Sequence, residues 1–309
     1  MAGWIELNLG LVHQVYGAAF LLLAVVVVML PRSDVLPQFN RPSLWLLAAF
    51  GFLYGLQHLL QGYRLGQPAG LLALLSSMLL LISYLTLLEF GRRLYMSLQG
   101  TVALGAAWVH GLACGAVAMM AWWAEDPLSG MTAGARYFVG MPAGLLTGLA
   151  LLGTERRQLN HLVNQAALRW LRILALGFMG YGLLALFLPV GDGRMPAWLP
   201  TGADFRALVG VPIELAGTLC ALVIALAFAM LTHHLNVTCS DRLRQVLNTL
   251  NGFVYRCRND RDWTLLDMTA GVEELCGYPR DEFLRRQRTW GGRSTPRMPV
   301  GFGQMCRRH

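Results

Sequence analysis

Four ionisable side chains lie inside long apolar segments of this sequence, where a charge is costly and usually serves a function. They are His13, His58, His110 and Glu214. Helix rise places His13 and His58 each about 6 Å, and Glu214 about 11 Å, from the outer ends of their segments, with His110 deeper. We therefore expect His13, His58 and Glu214 to converge in the outer half of a helix bundle and to sense a ligand there.

Histidine together with a carboxylate is suited to proton sensing near neutral pH or to zinc ligation. Because no helix would carry paired ligands at the i, i+4 spacing, the sequence identifies neither a metal nor a cofactor. Tyr16 and Tyr54 lie near the first two histidines in sequence and would extend a polar cluster. The alternative is that these histidines only hydrogen-bond between helices and fix their packing. The signal, whether a proton, a metal, a lipid or a small molecule, stays open.

Seven apolar segments carry these residues, and each approaches the length of about 20 residues that a spanning helix needs. They are too long and continuous for the strands of an outer-membrane barrel. Hydrophobic residues make up 55% of the chain and charged residues 14%. The sequence predicts an all-α, seven-helix membrane bundle within residues 1–234, with spans at Leu9–Leu30, Leu44–Gly62, Gly70–Phe90, Thr101–Trp123, Tyr137–Gly153, Leu171–Val190 and Ala207–Thr232.

Arginine placement predicts the orientation of this bundle, because positive charge stays on the cytosolic side during insertion. An outer amino terminus leaves only four arginines in the outer loops: Arg64, Arg136, Arg194 and Arg206. The inner loops then hold Arg32, Arg41, Arg92, Arg93, Arg156, Arg157 and Arg169. We expect a multi-pass protein of the bacterial inner membrane, with the lipid bilayer as its partner and a cytosolic carboxyl terminus.

The basic residues also exclude some functions. All 25 of them are arginines. A retinal Schiff base and a phosphate-binding Gly-Lys-Ser/Thr loop both need lysine, so neither is possible. A nucleic-acid partner is not expected either, since the arginines flank membrane helices instead of clustering on the face of a soluble domain.

A cytosolic signalling helix is predicted over 235–252. Its apolar residues follow a 4-3-4-3 spacing at Cys239, Leu243, Val246, Leu250 and Phe253. This spacing is typical of a coiled-coil seam and favours a homodimer through parallel helices. A single amphipathic helix would show the same spacing of apolar residues over a length of only two heptads.

The next segment, residues 253–284, resembles the opening of a PAS domain. The resemblance lies in Asn251–Asp260, Asp262–Thr269 and Gly271–Pro279, which in that family form two strands and a short helix ending at Gly-Tyr. Gly277 is expected to cap that helix in the left-handed conformation. The matched stretch is shorter than a PAS domain, so an α+β fragment without independent stability is predicted. Residues 285–309 are predicted to be a basic disordered tail.

The membrane region is similar, more loosely, to the input domains of bacterial sensor histidine kinases and of cyclic-di-GMP enzymes, notably at Leu44–Leu56. This resemblance implies a sensory input module of a two-component or cyclic-di-GMP signalling protein, here truncated and without its output domain. No catalytic residue is expected in the chain itself, although both classes contain enzymes. The alternative is a small multi-pass transporter or membrane enzyme that uses the intramembrane histidines and glutamate.

Overall fold

The computed structural model divides the chain into two units, Met1–Asn236 and Val237–His309. Each is described by itself. The structure describes residues 9–29, 41–64, 70–99, 106–154, 165–187, 200–249, 254–258, 265–269 and 271–285. Except for Arg285, the predicted tail over 285–309 lies outside these residues.

The first unit is helical. Its helices are α1 (Leu9–Val28), α2 (Arg41–Arg64), α3 (Leu71–Gln99), α4 (Ala106–Trp123), α5 (Pro127–Gly134), a π-helix (Ala135–Gly140), α6 (Met141–Thr154), α7 (Gln165–Leu184), α8 (Gly202–Val209) and α9 (Ile213–Thr249), whose residues after Asn236 belong to the second unit. Many large apolar side chains face outward, for example Leu112 and Trp122. Because water would disfavour such a surface, the chain is a multi-pass membrane protein in its architecture.

Six described segments are long and apolar enough to cross a membrane: Gly10–Val28, Leu44–Tyr63, Leu71–Leu98, Pro127–Thr154, Gln165–Leu184 and Ile213–Thr238. Helix α4 occupies the position of the fourth predicted span but is not among the six. The helical membrane architecture is therefore confirmed, whereas the number of seven spans stays a prediction.

The fifth predicted span begins earlier than the sequence suggested. Asp126 caps helix α5 by accepting hydrogen bonds from the backbone of Leu128 and Ser129, and Pro127 fits the first helical turn. Helix α5, the π-helix and α6 then follow one another without a gap up to Thr154. The predicted start at Tyr137 was wrong because Arg136 was read as a loop residue.

Glycines allow close approach between several helices. A Cβ on Gly17 would lie 2.7 Å from the Gly55 carbonyl oxygen, so α1 and α2 meet backbone to backbone there. Gly144 and Gly182 bring α6 and α7 together in the same way. A large aromatic and aliphatic core fills the space between the helices, including Phe20, Phe50, Phe90 and Phe178. Close packing in a membrane relies on such small residues.

Helix α9 is a single helix from Ile213 to Thr249. The sequence analysis divided it into a membrane span and a separate signalling helix, but no helix-breaking residue lies between Thr232 and Val237, and the backbone continues. Before it, Thr201 and Asp204 form a capping box on α8, and Gly210 ends α8 with a φ of 83°. Pro212 directly precedes the first turn of α9.

The second unit contains a small sheet. Strands β1 (Tyr255–Cys257) and β2 (Leu265–Met268) pair antiparallel, and the helices α10 (Gly271–Cys276) and α11 (Arg280–Leu284) follow. Met268, Val272 and Phe283 form the buried cluster. Gly277 adopts a φ of 73° after α10, which confirms its predicted role as a cap. The predicted order of two strands and a short helix is present, while membership of the PAS family stays a prediction.

Candidate functional site

A polar cavity of about 30 Å³ lies inside the first unit. This volume holds one or two water molecules. Its lining is rich in tyrosine and histidine and consists of His13, Tyr16, Tyr54, His58, Gln61, Tyr84, Arg136, Tyr181, Leu184, Ala185, Ile213 and Glu214. The cavity therefore joins side chains from α1, α2, α3, the π-helix, α7 and α9.

The two histidines of the sequence prediction meet in this cavity. The Nδ1 atoms of His13 and His58 are 3.3 Å apart, and the two rings are stacked at an interplanar angle of 15°. In a hydrogen bond between these atoms, one ring carries a proton on Nδ1 and donates it, while the Nδ1 of the other ring is unprotonated and accepts the hydrogen bond. The close approach of α1 and α2 at Gly17 and Gly55, one helical turn away, allows this contact.

Tyrosine hydroxyls continue the polar cluster into the bundle. The Tyr16 and Tyr54 hydroxyl oxygens are 3.4 Å apart, and those of Tyr54 and Tyr84 are 3.5 Å apart. The Tyr181 ring packs edge-on against Tyr54. Tyr16 and Tyr54 were expected near the histidines, but Tyr84 and Tyr181 were not recognised, because isolated tyrosines in apolar segments are not distinctive in a sequence.

Arg136 is the principal charged group of the cavity, and the sequence analysis assigned it wrongly to an outer loop. The structure places it in the π-helix with only 9% of its surface exposed. The wider turn of a π-helix changes the direction of the side chains along it, and such turns are frequent at functional sites. An arginine inside a membrane span almost always faces the bundle interior, as this one does. Asp126-Pro127, a helix-start signal ten residues earlier, could have revealed it.

Three buried polar atoms on this lining have no hydrogen-bond partner among the described residues. They are the Arg136 Nε, the His58 Nε2 and the Tyr181 hydroxyl. His58 is 1% exposed and Tyr181 is 2% exposed. Buried polar groups normally form hydrogen bonds to protein, water or a ligand, so three unpaired ones around a single cavity make it the candidate functional site of the described residues.

Glu214 also lines the cavity, from the first turn of α9. The structure therefore brings His13, His58 and Glu214 together, as the sequence predicted. Glu214 is only partly buried, and within the described residues it forms no ion pair with Arg136. The described residues contain no group of three histidine, cysteine, aspartate or glutamate side chains that could hold a metal ion.

His110 does not line the cavity. Its Nε2 lies 3.6 Å from a carboxylate oxygen of Glu89, which also pairs with Arg92 and Arg93 at 2.7 and 2.6 Å. Glu89 lies inside the third predicted span but was not recognised as an intramembrane ionisable residue. The two neighbouring arginines stabilise its charge, so this second cluster is an internally paired ion network.

No protein-family model, no curated protein and no solved structure matches this sequence.

Proposed function

We propose that this chain is the membrane-embedded sensory input module of a bacterial signal-transduction protein, with the polar cavity as its sensing site. Buried polar and charged groups in a membrane are expensive and are kept where they serve a function. Within the part of the chain that the structure describes, Arg136, His58 and Tyr181 all leave hydrogen-bonding capacity unused at this cavity. A ligand that enters the cavity can therefore form hydrogen bonds that the protein itself leaves open.

The course of helix α9 is the observation that best supports the proposal, because this helix begins at the cavity and extends beyond the apolar span. Ile213 and Glu214 line the cavity, and a Cβ on Gly217 would collide with the Tyr16 hydroxyl. The span ends at Thr238, but the helix runs on to Thr249. A change at the cavity can therefore reach residues outside the span through one continuous helix, as a receptor requires.

The remaining parts of the proposal follow from the sequence. The bundle has seven spans in the inner membrane, with the amino terminus outside. The heptad spacing around Leu243 and Val246 suits a parallel homodimer. The PAS-like segment after α9 would pass the signal to an output domain of the kinase or cyclic-di-GMP type.

A signalling chimera tests the function. The catalytic region of a sensor kinase is joined after Thr249, and kinase output is measured in cells. Gly217→Ala displaces the Tyr16 hydroxyl and should change basal output at equal membrane abundance. Gly180→Ala is the matched control, because its Cβ would meet only the Cys220 sulfur at 3.8 Å, an ordinary contact.

Equal output from both variants and the unchanged chain would contradict the proposal. Solute uptake into vesicles that depends on Glu214 would instead favour the transporter alternative. Reporter fusions at Gln99 and Gly193 test the topology separately. Cytosolic reporter activity at Gly193 would refute the proposed orientation.

A further inference from the structure

The charge balance of the cavity limits what it can bind. Arg136 and Glu214 are the two formally charged side chains among the described residues of the lining. Arg136 is deep, while Glu214 is partly exposed and forms no ion pair with it. A buried guanidinium without a paired anion is strongly disfavoured in a membrane interior. Because Glu214 is not paired with Arg136, a bound group with one negative charge would supply the missing ion partner of the guanidinium, whereas each further negative charge would be repelled by Glu214.

The unpaired atoms also define the chemistry of such a group. The Arg136 Nε–H and the Tyr181 hydroxyl can both donate. If His13 donates through Nδ1 to His58, the neutral His58 ring carries its own proton on Nε2 and becomes a third donor. The site is therefore rich in donors, and its ligand must offer more than one acceptor atom.

We propose that this cavity binds a carboxylate group, with Arg136 as its ion partner and His58 and Tyr181 as further donors. The planar guanidinium presents parallel N–H groups that match the two oxygens of a carboxylate and not a spherical ion. The cavity of about 30 Å³ accommodates a headgroup of this size. The inference rests on the proposed sensory role, since it names the ligand class of the same site.

The carboxylate could belong to a small organic acid or to the end of an acyl chain from the bilayer. Both present the same group to Arg136 and differ only in the apolar part that stays outside the cavity. Glu214 repels either one, because its own negative charge lies in the same cavity as the bound carboxylate.

The experiment uses the purified full chain in a neutral detergent. Binding of sodium acetate and sodium decanoate is measured by calorimetry and by thermal unfolding, with sodium chloride at the same ionic strength as the control. We expect saturable binding of at least one carboxylate. Arg136→Met should weaken that binding about 10- to 100-fold, as loss of hydrogen bonds to a charged group does.

Glu214→Gln is the complementary variant, because it removes the repulsion and keeps the shape. It should tighten carboxylate binding several-fold, a gain of function that misfolding cannot produce. Acetate binding indicates a soluble acid as the source, and decanoate binding alone indicates a lipid-derived one. Equal stabilisation by chloride, or binding that is unchanged in Arg136→Met, would overturn the proposal. If neither carboxylate binds while Gly217→Ala still alters the chimera, the ligand class is wrong and the sensory role stands.

Discussion

Gly17→Ala should separate α1 from α2 and break the contact between the two histidines. The added Cβ would lie 2.7 Å from the Gly55 carbonyl oxygen, while ordinary contacts begin at 3.4 Å. The Gly55 carbonyl is helix backbone and cannot turn aside as a side chain can, so the helices must move apart by about 0.7 Å. If that shift reached the next turn in full, the distance of 3.3 Å between the His13 and His58 Nδ1 atoms would exceed hydrogen-bonding range.

The expected loss of stability follows from three contributions. Overpacking costs about 1–3 kcal/mol, and the lost hydrogen bond costs about 1 kcal/mol. Alanine regains about 1 kcal/mol of helix propensity over glycine. The net free energy of unfolding should therefore fall by about 2 kcal/mol, which lowers the Tm by about 4–8 °C in a unit of this size.

Thermal unfolding of the full chain in detergent measures this effect, and Gly111→Ala is the matched control. No described atom lies within 4 Å of a Cβ built on Gly111, so alanine should leave the Tm unchanged or raise it slightly. If Gly17→Ala proved as stable as Gly111→Ala, the close approach of α1 and α2 would be refuted.

Three further predictions concern individual positions. Arg136→Met should raise the Tm in the absence of ligand, since it removes a buried charge that has no ion pair among the described residues; a fall would indicate a structural role. Asp126→Ala should cost about 1 kcal/mol at pH 7 through loss of the α5 cap. The Ser129 hydroxyl donates to the Asp126 carboxylate and holds the pKa of that carboxyl below its ordinary value. The cap therefore stabilises the protein above the pKa of the unfolded state, and this contribution disappears as the pH falls through the pKa of the folded state. Thermal scans at pH 7 and in acid check this, and a cost that persisted in acid would contradict the assignment. Gly277→Ala should cost about 1 kcal/mol because of its φ of 73° and should speed proteolysis of the second unit, whereas unchanged proteolysis would argue against this cap.

Apolar length and helix rise predicted much of the bundle. The positions of α1, α2 and α3 follow from continuous apolar runs, which fold as helices because lipid offers no other hydrogen-bond partner to the backbone. The equal depth of His13 and His58 predicted their meeting, since antiparallel neighbouring helices place equal depths side by side. The sequence alone could not show that Gly17 and Gly55 face each other, because that depends on the rotation of each helix.

The central residue of the site was missed because charge was treated as a marker of loops. Arg136 raised the polarity of its segment, and the predicted span therefore began only after it. Glu89 was missed for a different reason: it lay inside a predicted span but was not recognised as an intramembrane ionisable residue, and its neighbours Arg92 and Arg93 compensate its charge. These outcomes depend on which partners each side chain meets in three dimensions.

Hydrogen–deuterium exchange of the full chain in lipid nanodiscs tests most directly whether the cavity communicates with α9. Arg136→Met alters the cavity through the π-helix and leaves the sequence of α9 unchanged. Phe138→Leu is the control, because it alters an outward-facing side chain of the same π-helix. If the cavity communicates with α9, the exchange rates of residues 237–249 change in Arg136→Met and stay the same in the control. Changes confined to the cavity-lining turns, with residues 237–249 unaffected, would contradict the sensory account.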